Sequence, residues 1–134
     1  MNKFLFRLRN NSKIVGYKKF MSSKLYFFSK DLYGFSSKEI SYNNQDLFSG
    51  FFSKDNNHIF ENDILKDKND KMYFIFSNNI STNLHFFYSN NNNIIQISKA
   101  EFSKISKTLT HLSYLFINKE IHNQLNIKDI NYDI

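Results

Sequence analysis

Phe48 to Leu65, FSGFFSKDNNHIFENDIL, reads as two short hydrophobic runs joined by a polar turn. Asp46 to Phe52 has the composition of a strand, Lys54-Asp55-Asn56-Asn57 that of a turn, and His58 to Lys66 that of the returning strand. Short apolar runs bounded by Asn, Asp, Ser and Gly are the mark of a β-hairpin. Phe48, Phe51, Ile59, Ile64 and Leu65 are its expected core residues, and Gly50 is expected to meet a backbone requirement, since a glycine inside a strand marks a bend or a close approach.

The same pattern extends in both directions. Lys3 to Arg9, KFLFRLR, alternates apolar and basic residues, and Lys13 to Phe20 follows the turn residues Asn10-Asn11-Ser12. Period two with an Asn/Ser turn predicts an N-terminal hairpin. Leu25 to Phe28 is a third strand, and Asp31 to Asn44 is mostly loop. Downstream, Lys71 to Phe76, Leu84 to Ser89, Ile94 to Ile97 and Leu112 to Ile117 read as strands, with Asn90 to Asn93 as a loop tip. Ser98-Lys99-Ala100-Glu101 is a capping box, in which a serine hydroxyl and a glutamate three residues on satisfy orphan N–H groups at a helix start. Phe102, Ile105 and Leu109 then recur at helical spacing. The sum is a mainly β chain, a β-rich α+β fold, drawn as a small, partly open β-barrel of short strands with one helix near residues 99–110. The expected organisation is a single domain over 1–126 with a loose or docking tail at 127–134.

Composition sets the outer bounds. The chain has 134 residues, enough to bury roughly two-thirds of its unfolded surface. Its 20 Asn alone would argue for disorder, but 16 Phe and 8 Tyr supply a core. No cysteine is present, which removes disulfides, thiolate catalysis and Cys-based zinc sites and suits a reducing cytoplasm. The N-terminus lacks the apolar core of a signal peptide, and no run reaches the length of a membrane-spanning helix. The net charge of +6 favours an anionic partner, although the positive residues read as spread along the chain with no cluster of five or more.

The Phe48–Leu65 stretch resembles the motif of the YopX-like family of small phage and prophage proteins. That motif runs roughly Tyr-Thr-Gly-Leu-x-Asp-x-x-Gly-x-x-Ile-x-Glu-Gly-Asp-Ile-Val. Ser49-Gly50-Phe51 stands for Thr-Gly-Leu, and Ile59 to Leu65 stands for Ile-x-Glu-Gly-Asp-Ile-Val. Asn56 and Asn62 replace two family glycines, which is physically coherent because Asn is the residue after Gly that best tolerates a positive φ. Ser53 replaces the family's Asp, so the turn offers no carboxylate there. The structural motif is thus Ser49, Gly50, Ile59, Glu61, Asp63 and Ile64. The family has no established reaction; the resemblance implies a phage or prophage setting and the cytoplasm of a bacterial host.

Chemistry-bearing residues are sparse. Glu61 and Asp63, two apart on one strand, would share a face and could hold a cation or work as an acid/base pair; the simpler reading is that they order the turn and accept backbone N–H groups. His58, His85, His111 and His122 form no H-x-H or H-x-x-x-H pattern. With only 3 glycines there is no phosphate-cradling loop, and no nucleophile elbow is present. No catalytic residue, metal or cofactor is expected, and the chain is read as a non-enzyme. Adjacent aromatics in Tyr73–Phe76 and Phe86–Tyr88 cannot all point inward, so an exposed aromatic-basic face is expected, with Lys71, Tyr73, His85, Phe87 and Tyr88 as its binding residues. The functional expectation is a binding protein that occupies a surface of a host protein or ribonucleoprotein, with an anti-CRISPR inhibitor of host defence as one form. The alternative is direct binding of single-stranded nucleic acid by the basic aromatic face. Self-association is compatible with either, and no membrane partner is expected.

Overall fold

The computed structural model describes residues 5–30, 34, 36, 38–76, 84–90 and 93–117. The chain divides by its internal contacts into two compact units, residues 1–50 and 51–134. The expected tail at 127–134 lies outside the described residues, as does His122. Strand dominates, as the sequence pattern requires, and the described strands form two antiparallel sheets with one α-helix. They make no closed barrel.

The first unit contains β1 (Leu5–Asn10), β2 (Lys13–Met21), β3 (Lys24–Phe28) and most of β4 (Asn44–Phe52), hydrogen-bonded in the order β3-β2-β1-β4. The β1–β2 turn forms where Asn11 adopts φ 57°, a conformation Asn tolerates. Leu8 pairs with Gly16 but Arg9 pairs with Ile14, which makes Val15 the extra residue of a bulge. Gly16 is there because nothing larger fits. A Cβ at this position would stand 2.5 Å from the Ile40 side chain and 2.7 Å from the Phe28 carbonyl oxygen.

The second unit holds the end of β4, β5 (His58–Phe60), β6 (Asp63–Lys66), β7 (Met72–Phe76), β8 (His85–Asn90), β9 (Asn93–Ile97), α1 (Lys99–Ile105) and β10 (Thr110–Tyr114). Its sheet runs β10-β6-β7-β8-β9. The turn after β4 closes with the Ser53 N–H donating to the Asn57 carbonyl at 2.9 Å. Asn56 and Asn62 both take left-handed backbone, at φ 60° and 71°, a conformation that asparagine tolerates better than most residues. Gly50 has φ 90° with open space around it; its requirement is the dihedral and not a close approach.

Three boundaries differ from expectation. The return from His58 to Lys66 is not one strand: it breaks at Glu61-Asn62, where the positive φ of Asn62 turns the chain between β5 and β6. The last strand begins at Thr110 and ends at Tyr114, and Leu115–Ile117 is a 3-10 turn. The helix is shorter than 99–110 and tightens into a 3-10 turn at Ser106–Thr108. Its start is as read: the Ser98 hydroxyl accepts the Glu101 N–H at 3.1 Å.

The second sheet is buried on both faces. On one side Ile59, Leu65, Tyr73, Ile75 and Phe86 pack with Phe102 and Leu109, and on the other Ile64, Phe74, Phe76 and Phe87 pack with Leu115. Phe102 is the keystone of the first cluster, its ring 4.6 Å from Phe86 and 5.6 Å from Phe51. Burying one such ring contributes about 1.5–3 kcal/mol. The continuous apolar run of β7 follows from this two-sided cover, which is the usual reason a strand loses its polar alternation.

Candidate binding surface

The β7–β8 register decides the fate of the expected aromatic-basic face. Tyr73 lies opposite Tyr88, Phe74 opposite Phe87, and Phe76 opposite His85. Period two therefore separates the set: Tyr73 and Tyr88 share one face, and Phe87 and His85 the other. Tyr73 is only 7% exposed and Phe87 is fully buried, so neither belongs to an exposed face. Phe87 stacks on Phe74 and Phe76, with ring centroids 5.5 and 4.5 Å away, because the second face of this sheet carries its own apolar cluster. His85 opens the inner strand β8, its Nδ1 3.1 Å from Nε2 of Gln96.

Lys71, Tyr73 and Tyr88 do come together. The Lys71 ammonium sits 3.8 Å from the Tyr88 ring centroid and 5.9 Å from that of Tyr73, a cation–π arrangement. The Asp67 carboxylate orders the preceding turn by accepting the Asn69 and Lys71 N–H groups. Burial pushes the Tyr73 phenol above its ordinary pKa, and the negative charge of Asp67 and the neighbouring Tyr88 push the same way. This cluster is a half-buried lysine held over two tyrosine rings.

Within the motif, Ser49, Ile59 and Ile64 are buried and Gly50 is exposed. Glu61 stands in the turn and Asp63 opens β6, so the two acids are not two apart on one strand as expected. Asp63 is fully buried and accepts the Phe60 N–H at 2.8 Å, with Nε2 of His111 3.6 Å away. That is a carboxylate ordering its own turn. His58 packs between the rings of Phe52 and Phe60. Among the described residues no group of three or more His, Cys, Asp or Glu is placed to hold a metal ion.

Two features escaped the sequence reading. The first is a buried ion triad. Arg7 and Arg9 both reach the carboxylate of Asp46, Arg7 through Nε at 2.9 Å and Arg9 through Nε at 2.8 Å and Nη2 at 2.9 Å. The second is a charge asymmetry. Residues 1–50 hold nine Lys/Arg against three Asp/Glu, while residues 51–134 hold nine of each, so the whole net charge of +6 belongs to the first unit. The positive residues are thus not evenly spread: β1, β2 and β3 contain no acidic residue at all. A running count of charge along the chain shows this without a structure.

The first unit also carries the most exposed apolar pair. Phe20 and Leu25 face each other across β2 and β3, and they are 47% and 41% exposed. Lys19 precedes the first and Lys24 the second. Lys18, by contrast, is turned inward, its ammonium 2.6 Å from the Tyr42 hydroxyl and over the Phe6 and Tyr42 rings.

The chain matches no family model, no curated protein and no solved structure.

Proposed function

We propose that this is a non-enzymatic binding protein that occupies a surface of a host protein or ribonucleoprotein in the bacterial cytoplasm, a defence complex such as a CRISPR effector being one such target. The phage or prophage setting rests on the resemblance of the Phe48–Leu65 stretch, whose Asn56, Asn62 and Gly50 have the backbone the motif calls for. The observation that carries the binding reading is the Phe20–Leu25 pair. Two large apolar side chains directly opposite each other, both more than two-fifths exposed, give a partner an anchor of the kind that dominates interface energy. The surrounding lysines steer an acidic or nucleic-acid-bearing target toward it.

The test is affinity capture from host lysate with and without nuclease, followed by a titration with the purified captured protein. A defined partner that binds the wild-type chain in solution and is lost with Phe20→Asp supports the reading. Capture of nucleic acid with no associated protein, or capture that is indifferent to Phe20→Asp and Leu25→Asp, counts against it.

A further inference from the structure

We propose that the outer edge of β9 is the interface through which this chain pairs with a second copy of itself, the two β9 strands running antiparallel about a two-fold axis at Ile95. The interface lies in the second unit and goes beyond the host-protein surface proposed above.

The described sheets end in four strands, β3 and β5 in one and β10 and β9 in the other. A sheet edge offers a row of backbone N–H and C=O groups to any other strand, and proteins blunt it by covering it, shortening it, bulging it or charging it. Three of these ends are blunted. β3 is covered, with the Ser36 N–H donating to the Phe27 carbonyl at 2.8 Å. β5 has only 3 residues, and β10 slips register between His111 and Ser113. β9, Asn93-Ile94-Ile95-Gln96-Ile97, has none of these devices. It pairs with β8 without a slip and contains neither a charged residue nor a proline.

The register tells which backbone groups face outward. Antiparallel pairs alternate between exchanging both hydrogen bonds and exchanging none. Asn90 and Asn93 are three apart in the chain and can pair only as the exchanging kind, so Ile95 and Ile97 also turn their N–H and C=O groups to β8. Ile94 and Gln96 turn theirs away from β8, and no described residue takes them up.

This edge is complementary to itself. With the axis at Ile95, Ile94 of each copy lies opposite Gln96 of the other, so the residues with outward groups exchange their hydrogen bonds. Ile95 then meets its own counterpart in the closer, non-exchanging kind of pair. Ile94 packs against the cluster around Phe87 and Ile97 against that around Phe102, whereas Ile95 is half-buried and packs into neither among the described residues. No like charges are forced together, because β9 is uncharged and residues 51–134 hold nine Lys/Arg against nine Asp/Glu. A charged segment of another protein would find no counter-charge on this strand. Each copy uses its β9 edge once, so the contact closes at two copies. One strand pair buries little surface, which makes the dimer a concentration-dependent one.

Sedimentation velocity of the full chain over roughly a hundredfold range of concentration tests this. The wild-type chain passes from monomer to dimer and no further. Gln96→Pro deletes an outward N–H that β8 does not use, and it keeps the chain monomeric. Ile95→Lys and Ile95→Glu are each monomeric alone and form a dimer when mixed, since a residue on the axis meets its own counterpart. Circular dichroism verifies that each variant is folded. In hydrogen exchange, the Ile94 and Gln96 amides are protected in the dimer and exposed on dilution. A wild-type chain monomeric throughout, a dimer that survives both Gln96→Pro and Ile95→Lys, charge variants that do not associate on mixing, or Ile94 and Gln96 amides protected in the monomer would overturn the proposal. Host-protein capture is read with Phe20→Asp and the dimer with Gln96→Pro, so either proposal can fail alone.

Discussion

Arg7 and Asp46 stand directly opposite each other across β1 and β4, and both are out of water. Arg9, one pleat along the same face, shares the same carboxylate. A buried ion group of this kind contributes little net stability compared with apolar packing, yet removing one member strands the others. Asp46 is the shared member, so Asp46→Ala leaves two buried guanidinium groups without their counter-charge. The expected cost is about 3–5 kcal/mol, read as a fall in the urea midpoint. A triple change of Arg7, Arg9 and Asp46 to apolar residues of similar volume is expected to recover most of it. An Asp46→Ala midpoint equal to wild type would show that the triad is not holding the sheet.

How much of this was legible beforehand differs by feature, for physical reasons. The hairpins, the Ser98 cap and the left-handed Asn56 and Asn62 are local: a few neighbouring residues determine them, and reading those residues was enough. Phe87 was misplaced because exposure is not local. Whether a strand is half-covered or wholly covered depends on what the rest of the chain lays over it, and β7 and β8 are covered on both sides. The Arg7–Asp46 pair joins residues 39 apart, a separation at which neither residue signals the other. The charge asymmetry of the first unit, in contrast, was present in the order of residues and needed only to be counted by segment.

The β2–β3 turn holds Ser22 and Ser23 at φ 51° and 66°, both left-handed. Two positive φ values in a two-residue hairpin loop define a type I′ turn, which Asn-Gly fills without strain and serine does not. Each non-glycine residue in that region costs roughly 1–2 kcal/mol. The double change Ser22→Asn, Ser23→Gly is expected to stabilise the chain by about 1–2 kcal/mol and to raise its melting temperature. A lower melting temperature would mean that the serine side chains hold the turn in a way their backbone does not reveal.

Gly50 and Ser98 give a matched pair of tests, one of backbone and one of capping. At Gly50 a methyl group meets nothing within 4 Å, so any cost of Gly50→Ala comes from φ 90° alone. About 1–2 kcal/mol is expected. Gly50→Val adds β-branching at the same dihedral and should cost about 1–3 kcal/mol. Ser98→Ala removes the acceptor of the Glu101 N–H and should cost about 0.5–2 kcal/mol, with Ser98→Asp restoring it. Thermal melts of the four variants check all of this, and a Gly50→Val chain as stable as wild type would remove the dihedral argument.

Tyr73 ties the first core cluster to alkaline pH. Its phenol lies above the ordinary pKa of 10.0, first through burial and then through Asp67 and Tyr88. The folded state therefore favours the neutral phenol more than the unfolded state does. The stability this contributes is fully present below the unfolded pKa and is lost as pH rises through the folded one. Lys71 does not reverse the sign, although its ammonium lies over the Tyr73 ring. In a spectrophotometric titration of tyrosinate absorbance, Tyr73→Phe is expected to delete a component that ionises above the ordinary phenol pKa, while keeping the ring in its cluster. The wild-type chain should lose stability above about pH 10 more steeply than Tyr73→Phe does, since only the wild type must ionise a buried phenol or unfold to do so. Coincident alkaline profiles for the two chains would show that the Tyr73 hydroxyl is solvated in the folded state.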